Sequence, residues 1–442
     1  MTIHDRLGFA LSGADSNSAE SYETALAGLQ RFVGDPVSSV DAAIAARPDF
    51  VMAHVLKGWL YGLATEPAAT AVARQCHAAA AELTANAREA GHVAALGALM
   101  DGGWHRAGEI LEDLTIAFPR DALALQAGHQ IDFFTGNARM LRDRIARALP
   151  VWDVSMPGYH AILSAHAFGL EETGDYARAE ATGRRAVELE PTDGWGQHAV
   201  AHVMEMQSRQ ADGIAWMRAN PEHWSKDSFL QVHNWWHLAL FHFDLGQFDD
   251  ILALYDGPVE GGRSRIVLNM VDASALLWRL HLRGVATGDR FERLAALWEP
   301  HAGEASYAFN DIHAMMAFVG AGRDDLAATL LAAQEEAIAR GDDNAAFTRD
   351  IGHPAARAIK AFGDGDFTTA IRLIKPIRRI AHRFGGSHAQ RDVLDLTLVE
   401  AALRSGDRPL ALALASERRE LRPDSPLSRL FLQRAESLAM NG

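Results

Sequence analysis

The sequence predicts an all-α protein, a superhelical stack of helical hairpins, on three observations. Aliphatic residues and Ala recur at three- and four-residue spacing nearly throughout, the period of a single buried helix face. Alternating β-branched segments of strand type are scarce, which argues against sheets. The helices are separated by similar turns: Gly102-Gly103-Trp104, Gly136-Asn137, Gly174-Asp175-Tyr176, Gly246-Gln247-Phe248, Gly322-Arg323-Asp324, Gly365-Asp366-Phe367 and Gly406-Asp407. In each, Gly takes the left-handed position that ends one helix, and Asp or Asn commonly caps the next.

A second mark closes the hairpins. Arg47-Pro48-Asp49, Phe118-Pro119-Arg120, Glu190-Pro191-Thr192 and Arg422-Pro423-Asp424 halt helices at proline, and the first three prolines are 71 and 72 residues apart. That is about two periods of the roughly 34-residue tetratricopeptide unit. The clearest unit runs from Tyr159 to Pro191, with small Ala179 and Ala186 where helices pack closely. The expectation is one α-solenoid domain over residues 1–442, with a site in the central repeats 155–320 and a contribution from 345–395. In such an array the first helix of each hairpin lines the concave face.

Composition narrows the partners. With 48% hydrophobic and 22% charged residues the chain can bury a large core. A net charge of −15 and the absence of long Lys/Arg runs predict no nucleic-acid partner. The opening stretch lacks the apolar region of a secretory signal, no stretch is long and apolar enough to span a bilayer, and Cys76 is the sole cysteine. These predict a cytoplasmic protein without a membrane anchor. A homo-oligomer is compatible with the sequence.

The histidines carry the functional signal. Of 20, 14 fall on first helices: His54, His92, His129, His160, His166, His198, His202, His233, His237, His242, His281, His313, His353 and His388. The sharpest group is His198, His202 and Glu205, at i, i+4 and i+7 on one helix face, followed on the next first helix by His233 and His237. Two imidazole pairs on neighbouring helices, with a carboxylate, suit zinc, manganese or iron and leave room for a water that becomes the nucleophile. The plainer alternative is a set of neutral, hydrogen-bonded imidazoles in a polar core. The spacing is not that of a zincin helix.

Further candidates flank that group. Asn310 and His313, one turn apart, offer an acid or base, with Asp311 beside them; the alternative is a helix cap. Arg349 and Arg391 could clamp a substrate carboxylate or serve in capping and ion pairs. Trp195, Trp236 and Asn234 could wall a substrate pocket, although core packing suits most Trp residues. Gly385-Gly386-Ser387 lacks the Lys and the strand of a phosphate loop, so no nucleotide cofactor is indicated.

Several of these blocks together resemble the tetratricopeptide repeat protein 38 family over nearly the whole chain. They are Pro191 to Trp195, His198 with His202 and Glu205, Trp224 to Asp227, His233-Asn234 with Trp236-His237, Phe309 to His313, Arg349-Asp350, and Gly385 to Asp392. His388 stands where the family has Asn, which puts that position's role in doubt. The resemblance implies a helical-repeat fold and, from the genomic neighbours of some bacterial relatives, a small-molecule role.

Two functions follow. The first is a metal-dependent, hydrolase-like enzyme acting on a small polar molecule, with His198, His202, His233 and His237 as ligands and Glu205 and His313 as catalytic groups. Trp195, Asn234, Trp236, Asn310, Asp311, Arg349 and Arg391 would contact substrate. The second is a noncatalytic scaffold holding a peptide in the same groove.

Overall fold

A computed structural model describes residues 2–439, which form helices and no strand, only two isolated bridges. The fold is all-α and of the helical-repeat class. The helices run in hairpin order: α1 Ser16–Arg31 and α2 Pro36–Ala46; α3 Val51–Gly62 and α4 Pro67–Ala81; α5 Ala87–Met100 and α6 Trp104–Ala117; α7 Ala122–Phe134 and α8 Ala138–Ala148; α9 Tyr159–Glu172 and α10 Tyr176–Leu189. There follow α11 Gly194–Met206, α12 Gln210–Arg218, the short α13 Pro221–Ser225, α14 Gln231–Leu245, α15 Phe248–Leu254, α16 Val267–Leu282, α17 Arg290–Trp298 and α18 Ala308–Gly320. The last are α19 Asp324–Ile338, α20 Asp343–Phe347, α21 His353–Gly363, α22 Phe367–Ile377, α23 His388–Ser405, α24 Arg408–Leu421 and α25 Pro426–Ser437.

The expected punctuation is what ends these helices. The turn glycines take left-handed backbone, with φ of 83° at Gly174 and 73° at Gly246, a conformation that costs other residues the clash of a Cβ. Asp121, Asn137, Asp175, Asp366 and Asp407 each accept a backbone N–H of the helix that follows. Such caps contribute about 1 kcal/mol each.

The backbone groups into two compact units: residues 2–200 with 220–231, and 201–219 with 232–439. In the first, each helix packs on the next from α1 to α10, and first helices touch across repeats, α3 on α5 and α7 on α9.

In the second unit the first helices do not line an open groove. Helix α16 packs on α18, α18 on α21, and α16 also on α23. Small residues make the approach close: Ala273, Ala275, Ala314, Ala317, Ala355, Ala358, Ala401 and Ala402 are all buried. Polar bonds tie α16 to α23, as Trp278 Nε1–H donates to Thr397 Oγ1 at 3.0 Å and Arg279 Nη2 donates to the Ala389 carbonyl at 2.7 Å. Residues expected on an exposed concave face therefore lie in a polar core.

Candidate metal centre

Helix α11 brings His202 and Glu205 into the second unit one turn apart, and α14 brings His233 and His237 at i, i+4. Their ligand atoms lie within 4.8 Å of one another for His202, His233 and His237. Ring centroids are 4.4 Å apart for His202–His237 and 4.9 Å for His233–His237, the latter edge-on. Nitrogen ligands about 2.0–2.1 Å from a tetrahedral ion stand about 3.4 Å from each other, so small ring rotations bring this trio to bonding distance. His202 and His237 are fully buried, and His233 keeps 14% of its side chain exposed.

One ring is held from behind by a carboxylate, and a second has a carboxylate close by. His233 Nδ1–H donates to Asp272 Oδ2 at 2.9 Å, and His237 Nδ1 stands 3.3 Å from Glu205 Oε2. A carboxylate on Nδ1 fixes the tautomer, leaves Nε2 as ligand nitrogen and raises its basicity. Burial, then the neighbouring His202, His233 and Arg279, press the His237 pKa well below the usual imidazole range. His237 is therefore neutral, the form that ligates metal.

A band of charge surrounds the trio. Glu205 Oε1 lies 3.5 Å from Arg422 Nη2, and Arg418 grips Asp392 with two bonds of 2.6 and 2.9 Å. The Arg279 guanidinium stacks over Trp236 at 5.2 Å, and its burial brings its pKa down to about 10. These three cations face Glu205, Asp392, Asp244 and Asp395. A polar cavity of about 20 Å³ lies against Glu205, Asp244, Arg279 and Asp392. That is room for about one water.

The other sequence candidates are spread out. His198 is one turn before His202 on α11, in the first unit, its ring stacked on Phe168 at 5.3 Å and 4.6 Å from Trp195. Trp195 also lies 5.5 Å from Phe32 and donates from Nε1 to His129 Nε2 at 3.3 Å, within an aromatic cluster of that unit. Trp236 is fully buried with the His233 ring stacked on it at 5.3 Å, and Asn234 is buried on the same helix.

Asn310, Asp311 and His313 are buried in the first turns of α18. His313 Nδ1–H donates to the Phe309 carbonyl at 2.7 Å, and its buried Nε2 has no hydrogen-bond partner among the described residues. Burial takes its pKa down to about 4. Burial likewise takes Asp311 up to about 7, against a Gln334 amide that donates to Oδ2. Arg349 lies in a π-helical turn before α21, exposed, and pairs with Asp350 at 2.8 Å. Arg391, in the first turn of α23, donates from Nη1 to the Gly386 carbonyl.

Asp272 was not among the sequence candidates. Its signal was present: a lone acid in the apolar run Val267 to Leu282, a place where an unpaired carboxylate would be costly.

The fold and this imidazole group define an all-α, tetratricopeptide-like repeat protein with a histidine and carboxylate cluster fit to hold a metal ion. No protein-family profile matches the chain. Among solved structures it is similar to a monomeric mutant of IFIT1 with Gppp-AAAA, at 15% identity over 96% of both chains and a TM-score of 0.39. It is also similar to a chain of the Naa15/Naa10 complex bound to HypK-THB, at 12% identity and a TM-score of 0.26. There the match spans 95% of this chain and 65% of the other. Likeness at this level carries no function across. No helix among the described residues is long and apolar enough to cross a membrane.

Proposed function

We propose that this chain binds a first-row divalent metal, zinc, manganese or iron, through His202, His233 and His237, and that the bound metal serves hydrolysis of a small polar molecule. One observation carries the reading: three imidazoles within reach of one ion, one of them oriented by Asp272 and another with Glu205 3.3 Å from its Nδ1. A metal held this way would lower the pKa of a bound water, and Glu205 is the proposed acceptor of its proton. The His233 side chain is the most exposed of the three. The kinship to the tetratricopeptide repeat protein 38 family, and with it a small-molecule role, rests on the motif blocks and belongs to this proposal.

Burial of His202 and His237 counts against a peptide laid across these rings as in a scaffold. The test is metal content of the full chain purified without a histidine tag, followed by titration with Zn²⁺, Mn²⁺ and Fe²⁺. One equivalent is expected in the parent, and none in a folded His202→Ala, His237→Ala double variant. A parent that takes up none of the three ions overturns the proposal. Metal uptake without turnover of amides, esters or glycosides would retain the metal and discard the hydrolase.

A further inference from the structure

The first unit holds a larger cavity, about 230 Å³, between the opening turn, one face of α1 and the N-terminal ends of α7 and α9. At about 30 Å³ of liquid per water it has room for roughly seven waters, or a small organic molecule. Of the first-helix histidines, His160 lines it.

Its polar surface mixes the carboxylates of Asp5, Glu23, Asp121 and Glu190 with the side chains of Arg6, Arg31 and Arg88. Asp5 Oδ1 accepts the Leu7 and Phe9 amides, and Glu23 Oε1 accepts the Arg6 amide at 2.7 Å. Neither carboxylate forms a close ion pair among the described residues, though Asp5 feels the charge of Arg88 and Glu23 that of Arg6. Burial raises the pKa of both, and the Asp5 charge raises that of Glu23 further. Arg88 also lines the cavity, but Asp121 holds it at 3.1 Å, and Asp121 in turn takes His92 at 3.0 Å. Farther along α1, Arg31 donates from Nε to the Ala27 carbonyl and faces the charge of Glu190. His160 Nδ1–H donates to Asp193 at 2.7 Å, which leaves Nε2 an acceptor.

Two nearly sealed polar side chains point to a ligand. Tyr22 is 1% exposed and Gln30 6% exposed, both line the cavity, and neither side chain has a hydrogen-bond partner among the described residues. Polar atoms that open onto such a cavity are met by water or by a ligand. Gly158 closes one wall: with φ of 78°, it approaches the Gln30 amide so closely that a Cβ there would lie 2.5 Å from Nε2.

We propose that this cavity binds a small polar molecule carrying a protonated primary amine, its ammonium seated between Asp5 and Glu23 and its other polar groups on Tyr22 and Gln30. The test is calorimetric titration of the full chain with putrescine, with butanediol and succinate as uncharged and anionic counterparts of the same carbon count. Putrescine is expected to bind saturably at one site and the other two not at all. Glu23→Gln, nearly isosteric, weakens putrescine about tenfold or more, the loss of one charge-assisted contact. Ala27→Phe, which fills the cavity, abolishes binding, and the His202→Ala, His237→Ala variant leaves it unchanged. No saturable heat with putrescine, equal binding of butanediol, or full affinity in folded Glu23→Gln overturns the proposal.

Discussion

Buried histidines set the acid limit of this protein. His129 and His313 are sealed and His166 mostly so; burial lowers their pKa values to about 3, 4 and 4. In the unfolded chain each titrates near 6.5. Between about pH 6.5 and 4 the unfolded state therefore binds protons that the folded state refuses, and stability falls as pH drops through that window. Asp311 acts in the opposite sense. Its folded pKa of about 7 exceeds its unfolded value, so it contributes stability below about pH 4 that is lost as pH rises through 7. Asp311→Asn, which keeps an acceptor for Gln334, is expected to raise the urea midpoint at pH 8 and to leave it nearly unchanged at pH 4. Asp272→Asn tests the carboxylate behind His233: metal affinity measured with a competing chelator should fall about 10- to 100-fold with the fold intact.

Helices here approach one another through glycine and alanine, and that closeness decides the sign of substitutions. A helical Gly→Ala change ordinarily stabilises by up to about 1 kcal/mol. At Gly169 on α9 a Cβ would lie 2.5 Å from the backbone of Leu141 and Arg142 on α8, and backbone cannot swing aside as a side chain can. Gly169→Ala is expected to destabilise by about 1–3 kcal/mol in chemical denaturation. The same economy of side chains lets α16 meet both α18 and α23, turning a surface that repeat arrays commonly leave open into a core. Helix punctuation was legible in the chain: Gly-Asp and Gly-Asn turns and closing prolines stand where helices end. The joining of α16 to α23 was not, because Trp278–Thr397 and Arg279–Ala389 link residues more than a hundred positions apart.

For the molecule as a whole, the proposed metal binding would be linked to folding. A metal at a hundredfold its dissociation constant, binding only the folded state, stabilises it by about 2.7 kcal/mol. Thermal unfolding of the parent should therefore shift upward with added zinc and return on chelation. The His202→Ala, His237→Ala variant should show no shift, and an equal shift in that variant would place the metal elsewhere.

The chain by itself determined the helical period, the hairpin turns, the supply of imidazole to first helices and the i, i+4 pairing of His233 with His237, because each is a local matter of a few residues along one helix. Tertiary structure alone decided that Asp272 and Glu205 stand behind the rings, that Arg279 and Arg422 crowd the same space, and that Asp5, Tyr22, Glu23 and Gln30 share a cavity. Those are meetings of side chains from separate helices, and close packing, with the burial it imposes, determines which of them meet and which protonation state each can keep.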